Sequence, residues 1–419
     1  MKNTSISIIA LLGCIAVMSV CTGKSKSSES LTISVENDNK VPIYVNMEGI
    51  LKKEGTEQLS TTATEITYIP LELTDNSILK GVLKVEVLNG KYVICDYNTG
   101  LFLFDQNGKY IKNISRSGQG PSDYPTFVHN IIVDHEANNL YLFATKKIIK
   151  FNKNADYVSY FYINDGSEGV YDIGTYTPQN TIILGYKNKA IKNSDTSIIY
   201  NAIEVDTIGN IINKFVNHSP RYTERPQFQI GADASFLGVF NNNVRFMDFY
   251  NDTIFNVSRK TMVPYAILNL GKDKTASIRD INTSRPPTQK DLDAIAAKST
   301  GHSIVRVQEN EDYLFTILTE KGLSGKLVNS TYNKHTKELK LLKNKGLLND
   351  LDGGPDFFPL KCIGDIMIGW KMPHDFKNEV LSKDYNEQKA KYGDRFEKVY
   401  QLAKSLQEDD NPILMVVKK

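Results

Sequence analysis

Apolar and polar residues alternate in short runs along most of this chain, and the runs are punctuated by Gly, Asn and Asp. Tyr92-Val93-Ile94-Cys95-Asp96 and Tyr141-Leu142-Phe143-Ala144-Thr145 are strand-like segments of aromatic and branched residues, 49 positions apart. A second pattern follows them: an apolar run ends in Asp or Asn, two residues intervene, then a turn residue and another strand-like run. Its instances are Phe104-Asp105 with Gly108, Phe151-Asn152 with Ala155, Val205-Asp206 with Gly209, and a degenerate Tyr332-Asn333 with Thr336. The first three begin 47 and 54 residues apart. Asp and Asn bond their own turn backbone and Gly supplies positive φ, so each instance predicts a hairpin. A period of about 50 residues built only of short strands predicts β-propeller blades, each a four-stranded antiparallel sheet. No helical pattern lies between 65 and 280, so the crossovers that a parallel sheet needs are missing.

The expected fold class is therefore all-β, a six-bladed β-propeller with two short helical insertions. The blades are expected at roughly 65–125, 126–168, 169–230, 231–287, 288–345 and 346–419. One helix starts at Thr288, with Asp291 three residues on and Leu292, Ile295 and Ala296 behind it. The other runs from about Asp384 to Gln407. Phe396, Val399, Ala403 and Leu406 share one of its faces, which is expected to pack on the propeller. The last apolar run, residues 412–417, is expected to pair beside Ile66–Leu71 and so remove an open sheet edge. Which terminus lies outermost is open at this point. Residues 31–64 carry only weak strand signals and are grouped with a Ser- and Lys-rich stretch as a tether and irregular segment, 22–64, ahead of a propeller over 65–419.

The first 21 residues differ from the rest. Lys2 is followed by a mostly apolar stretch, Ile6–Val20, and then Cys21 opens a polar segment. That order is a secretory signal peptide. The apolar stretch is short for a membrane span of about 20 residues. A cysteine at the exit resembles the lipidation site of bacterial lipoproteins, although Val20 is bulky for the cleavage position. Cys14, after Leu11-Leu12-Gly13, fits locally but would leave an apolar tether, so Cys21 is preferred; a plainly cleaved signal without lipid is the other reading. An acyl chain would hold a soluble domain at a membrane face. Cys95 and Cys362 then remain, each beside strand-like residues. They read as buried free thiols, with a single bridge between blades left open.

Composition narrows the function classes. A chain of 419 residues with 41% hydrophobic and 23% charged residues can bury a core. The 22 Tyr and 18 Phe suit strands. A net charge of only +2, without a basic stripe, argues against nucleic acid as a partner.

The residues now resemble a family: the six-bladed β-propeller lipoproteins of Bacteroides-type bacteria, similar in architecture to NHL-type and TolB-type propellers. The resemblance rests on the Phe-Asp-x-x-Gly-Lys hairpin at 104–109, on Gly118-Gln119-Gly120-Pro121 with Tyr124, and on Phe249–Phe255. It rests also on Gly353-Gly354-Pro355 and on Asn411-Pro412. It covers about 65–419. Ser122-Asp123 stands where the family often has Gly-Glu. The resemblance implies a fold and a cell-envelope address, with an outer-membrane lipoprotein on the periplasmic or surface face. It implies no chemistry.

Propellers commonly bind at the channel mouth, where loops converge. In the Gly118–Tyr124 loop, Arg116 and Tyr124 are candidate ligand-lining residues; the plainer reading is a turn between blades. Arg221, Tyr222 and Arg225 mix cationic and aromatic groups able to stack on sugars or grip carboxylates, and Arg285 has the same standing. Asp350–Asp356 invites a calcium reading but departs from the EF-hand pattern at Gly354 and Pro355, so it reads as a turn. The six histidines, 129, 135, 218, 302, 335 and 374, show no metal-ligand spacing. Neither a G-x-S-x-G elbow nor a P-loop is present. No catalytic residue, metal or cofactor is therefore assigned. The expectation is a non-catalytic envelope module that binds a small molecule, glycan or envelope protein. The alternative is a glycan- or peptide-acting lyase or hydrolase with its site at the channel mouth, and a third reading is a structural subunit of an envelope assembly.

Overall fold

The computed structural model describes residues 41–419 apart from 97–99, 126–127, 129, 145–146, 164–170, 178–179, 187–190, 193–198, 217–235, 242, 248–251, 259–260, 274–287, 289, 291–300, 321–325 and 344–345. Three strands come first: β1 (Ile43–Asn46), β2 (Glu54–Gly55) and β3 (Glu65–Pro70). The first blade is β4 (Lys84–Leu88), β5 (Lys91–Cys95), β6 (Leu101–Phe104) and β7 (Tyr110–Ser115). The second is β8 (Asn130–Asp134), β9 (Asn139–Ala144), β10 (Lys147–Phe151) and β11 (Tyr157–Tyr162). The third holds β12 (Tyr171–Tyr176), β13 (Ile182–Tyr186), β14 (Ile191–Lys192), β15 (Ile199–Val205) and β16 (Ile211–Val216). The fourth is β17 (Phe236–Phe240), β18 (Asn243–Met247), β19 (Thr253–Val257) and β20 (Met262–Asn269). The fifth is β21 (His302–Glu309), β22 (Tyr313–Glu320), β23 (Leu327–Asn333) and β24 (Leu339–Leu342). The sixth combines β25 (Lys361–Ile363), β26 (Ile366–Lys371) and β27 (Ile413–Lys418) with β3.

The first strands of the blades, β4, β8, β12, β17, β21 and β25, each neighbour the next, and β25 returns to β4. That closed circuit makes the fold a six-bladed propeller. Apolar side chains cluster at every junction between blades. Val93, Leu103, Leu142 and Ile149 pack between the first and second blades, for example, and Val307, Leu318, Met247 and Leu268 between the fourth and fifth. Each sheet is thus buried on both faces, the condition under which short apolar strands are stable.

Closure follows the predicted pairing. β27 lies antiparallel to β3, from Ile413 opposite Pro70 to Lys418 opposite Glu65. The blade assignment needs correcting, however. Residues 65–70 form the outermost strand of the sixth blade, not part of the first, and this places the N-terminal side outermost. The segment expected to be irregular up to residue 64 also contributes strands, and the compact unit runs from Pro42 to Lys419. β1 adds a parallel fifth strand to β20 of the fourth blade, and β2 adds one to β24 of the fifth. Such strands bond to a sheet on one side only and are short, so they leave little periodicity in the sequence.

The expected helix over 384–407 is two, α2 (Tyr385–Tyr392) and α3 (Asp394–Ser405), and a further helix that the sequence reading did not expect, α1 (Pro373–Leu381), precedes them. Pro373 suits the first turn of α1, where its missing N–H costs nothing. Asp384 caps α2 by accepting from Glu387 N. Gly393, at φ 62°, separates α2 from α3. Phe396, Val399, Ala403 and Leu406 are buried together against Phe376 and Val380, as the spacing predicts. The helix expected from Thr288 falls on residues that lie, for the most part, outside the described ones.

The recurring turns join the last two antiparallel strands of their blades and also clasp blades together. Asp105 Oδ1 accepts from Asn107 N at 2.8 Å and Lys109 N at 2.9 Å, and Asp206 and Asn152 do the same in their own turns. Gly108 has φ 83°, and its carbonyl accepts from Glu72 N at 2.8 Å, just beyond β3. A β-carbon there would collide with the Pro70 carbonyl oxygen. At Gly209, φ 96°, it would come within 2.8 Å of the Phe161 ring on β11. Each glycine thus answers both to the turn and to the outer strand of the preceding blade. In the degenerate fourth turn positive φ falls on Lys337, at 64°, and not on Thr336. Lys337 is exposed. Lys337→Gly is expected to raise stability by about 0.5–1 kcal/mol, read from urea denaturation, because a left-handed conformation strains an L side chain.

Candidate functional site

The loop from β7 to β8 has a built interior. Tyr124 N donates to Arg116 O at 3.1 Å and Gly118 N to Tyr124 O at 3.1 Å. Ser115 Oγ donates to Ser122 O at 2.7 Å. Gly120 N donates to Asp123 Oδ2 at 3.1 Å, and Gly118 and Gly120 press so closely on that carboxylate that a β-carbon at either would clash with it. Below the loop stands Lys147, the first residue of β10 and 6% exposed. Its Nζ donates to Gly120 O at 3.0 Å and Asp123 O at 2.8 Å. Burial lowers the pKa of this amine, and Asp123 opposes the shift. Lys147 Nζ also lies 4.7 Å from the centroid of the Tyr160 ring, a cation–π contact.

Tyr160 and Tyr162 are alternate residues of β11 and share one face of the strand. Their rings meet edge to face, 5.6 Å apart at 78°. They are 43% and 60% exposed. Arg116, Gln119 and Pro121 are exposed on the loop. The caged loop and the two tyrosines, joined through Lys147, form a shoulder at the junction of the first and second blades. Such a surface can stack on sugar rings or apolar side chains and offer a guanidinium to an acidic group.

Of the residues expected to line a ligand surface, Arg116 stands exposed on this loop. Tyr124 is only 5% exposed and packs in the core between the first two blades, where burial raises its pKa. Its place in the fold is that of a packing residue. Arg221, Tyr222, Arg225 and Arg285 lie outside the described residues, as do Cys14 and Cys21. Tyr160 and Tyr162 were not singled out from sequence. The available signal was the run Tyr-Val-Ser-Tyr-Phe-Tyr at 157–162, which carries no charge.

The Asp350–Asp356 segment is a turn, as expected. Asp352 Oδ1 accepts from Tyr68 OH at 2.9 Å, Asn349 Nδ2 at 2.8 Å and Gly354 N at 2.9 Å. Lys383 Nζ ties down Gly353 O and Gly354 O at 2.8 and 2.7 Å. Burial raises the pKa of Asp352 and of Asp356, and lowers that of Lys383. A raised carboxyl pKa means that the folded state holds its proton more tightly than the unfolded chain does. Stability contributed this way is present at low pH and is lost as pH rises from about 4, the ordinary carboxyl value, through the folded pKa. Asp352→Asn keeps an acceptor oxygen and removes that titration. Its stability relative to the parent chain is expected to improve from pH 4 to pH 7 in urea unfolding. A constant difference across that range would contradict the assignment.

Between the fourth and fifth blades lies a buried ionic cluster. Glu309 accepts from Arg245 Nε at 3.2 Å, Lys334 Nζ at 2.8 Å and Tyr265 OH at 2.5 Å. The Arg245 guanidinium lies 3.6 Å from the centroid of the Tyr265 ring and also donates to Asn256. Among the inner strands, Lys361 of β25 pairs with Glu86 of β4. Among the described residues no group of three or more His, Cys, Asp or Glu side chains is arranged to hold a metal ion. Cys95 and Cys362 are not bridged to each other; the first is buried and the second partly so. Among the described residues no helix is long and apolar enough to cross a membrane.

A family model described as a domain of unknown function (DUF4934) matches residues 42–418. No curated protein matches the chain. Among solved structures, a protein of Bacteroides fragilis described as exported superposes with a TM-score of 0.66 at 17% identity, covering 90% of this chain and 100% of its own. A protein of unknown function from Bacteroides caccae matches at 9% identity, with a TM-score of 0.33 over 67% of this chain and 80% of its own. The extracellular domain of a hybrid two-component system from B. thetaiotaomicron matches at 11% identity, with a TM-score of 0.33 over 67% of this chain and 39% of its own.

Proposed function

The chain belongs to the DUF4934 family, and from that premise we propose that it is a non-catalytic binding propeller of the bacterial cell envelope, taking a glycan or a protein partner at the shoulder between its first two blades. The observation that carries this is the pair of exposed tyrosine rings, Tyr160 and Tyr162, held edge to face beside a loop whose backbone is locked by Asp123 and Lys147. Preformed aromatic surface loses little conformational entropy on binding. The envelope address is supported by the signal-peptide pattern of residues 1–21 and by the fold shared with a protein described as exported. Acylation of Cys21 then tethers an NHL- or TolB-like propeller to a membrane face, with the outer membrane as the proposed site.

A thermal-shift screen of the chain against envelope and dietary glycans and peptides tests the reading. A ligand at 100 times its dissociation constant stabilises a fold by about 2.7 kcal/mol. Tyr162→Ala is expected to weaken a hit roughly tenfold; a hit indifferent to Tyr162 and Arg116 moves the site elsewhere. For the address, Cys21→Ser is expected to release the protein from membranes, and release by Cys14→Ser instead would overturn the choice of cysteine.

A further inference from the structure

The six blades do not end alike at their outer edges. On the fourth and fifth blades the outermost blade strand is covered by a parallel segment of the chain itself, β1 or β2. The sixth ends in β3, which begins with Glu65 and finishes with Pro70, residues that discourage further pairing. The first and third blades end in β7 and β16, which carry Lys112 and Lys214 within the strand. A lysine on an edge strand is a common guard against sheet extension. β11 of the second blade has none of these. Its six residues, Tyr157-Val158-Ser159-Tyr160-Phe161-Tyr162, contain no charge and no proline, and among the described residues no strand pairs with its outer side. Tyr157, Val158, Tyr160 and Tyr162 are all at least 40% exposed. A register shift marks its start, between Phe151–Tyr157 and Lys150–Ser159, and the pairing from Ser159 to Tyr162 is regular.

We propose that β11 is a self-association edge, at which a second copy of this chain adds its own β11 in antiparallel pairing. The occupant follows from the strand's chemistry. Antiparallel pairing about a two-fold axis perpendicular to the sheet preserves faces, so each residue meets one of the same parity. In the register centred on Tyr160, that residue lies opposite its own copy, Val158 opposite Tyr162, and Ser159 opposite Phe161. Every pair is then uncharged, and most are aromatic or branched, the pairs that stabilise adjacent strands. The same operation on β7 or β16 would bring Lys112 or Lys214 close to its own copy. Edge pairing uses backbone groups and leaves ring faces open. The continued sheet therefore sets Tyr160 and Tyr162 of both copies in one row, and the two shoulders become a single aromatic surface.

Sedimentation of the purified chain over a concentration range up to about 0.1 mM tests this. The expected result is a reversible dimer. Tyr160→Lys places like charges directly opposite each other on the two-fold axis and is expected to raise the dimer dissociation constant roughly tenfold or more. Tyr160 also carries the cation–π contact to Lys147, so a thermal melt checks that the variant is folded, and a cysteine cross-link reads the same edge without the added charge. A Tyr160→Cys variant is expected to form a covalent dimer on mild oxidation, and Ile212→Cys on the exposed side of β16 is not. A chain that stays monomeric over the whole range overturns the proposal. So does a dimer that Tyr160→Lys leaves intact, or equal cross-linking of the two cysteine variants. Ligand binding by a strictly monomeric chain would sink this inference and leave the binding reading standing.

Discussion

A chain ending at Pro412 is expected to show no cooperative thermal transition. The seven residues removed include β27, which is hydrogen-bonded on both sides, to β26 and to β3. Ile413, Leu414, Met415, Val416 and Val417 are each no more than 5% exposed. Full burial of such side chains stabilises by roughly 1.5–3 kcal/mol each. Their sum is as large as the entire stability of an ordinary domain, about 5–15 kcal/mol. The truncation also opens the edges of β26 and β3 and unseats the last blade from the first, where Leu414 and Val416 pack with Phe102 and Phe104. Circular dichroism melting, with dye binding as a reporter of exposed apolar surface, reads the result. A sharp melt near that of the intact chain would mean that the circuit closes without its seam.

Glu309→Ala is expected to cost about 3–5 kcal/mol, the range found when one partner of a buried ion pair is removed. The side chain is 2% exposed and is shared by Arg245 and Lys334. Its loss leaves two buried cations without their common carboxylate and Tyr265 without its acceptor. Burial already lowers the pKa of Lys334, with Glu309 opposing that shift, so the amine in the variant is expected to give up its proton more readily. Urea unfolding at pH 7 measures the loss. Adding Lys334→Met should recover part of it, because the two sites share one network and their effects do not add. Equal stability of the single and double variants would show that Lys334 is neutralised without cost.

The architecture was legible in the sequence because it is written locally. Each Asp- or Asn-led turn needs only five or six neighbouring residues, and its spacing, set against the length of the chain, gives the blade count. The closing pair was legible because Ile413–Val417 and Ile66–Leu71 are both compact apolar runs. The parallel strands β1 and β2 were not, since they are four and two residues long and owe their conformation to partners more than 200 residues away. α1 was missed because Pro373 and a polar surface hide a buried side made only of Pro373, Phe376 and Val380. Tyr124 was marked as a ligand contact because an aromatic residue in a glycine-rich loop reads the same whether it points out or in. Tyr160 and Tyr162 read as ordinary strand residues, and only the fold shows that their strand is an edge.

The seam between β3 and β27 also dictates an order of events. The two strands stand at opposite ends of the propeller sequence, so β3 leaves the ribosome hundreds of residues before its partner is made. Contacts this distant along a chain form late and slowly. Until Ile413–Lys418 is synthesised, the circle has no means of shutting, and every earlier state has an open sheet edge. Under the proposed envelope address, in which the chain would cross a membrane before folding, this arrangement would defer the final locking step until the whole polypeptide has been delivered.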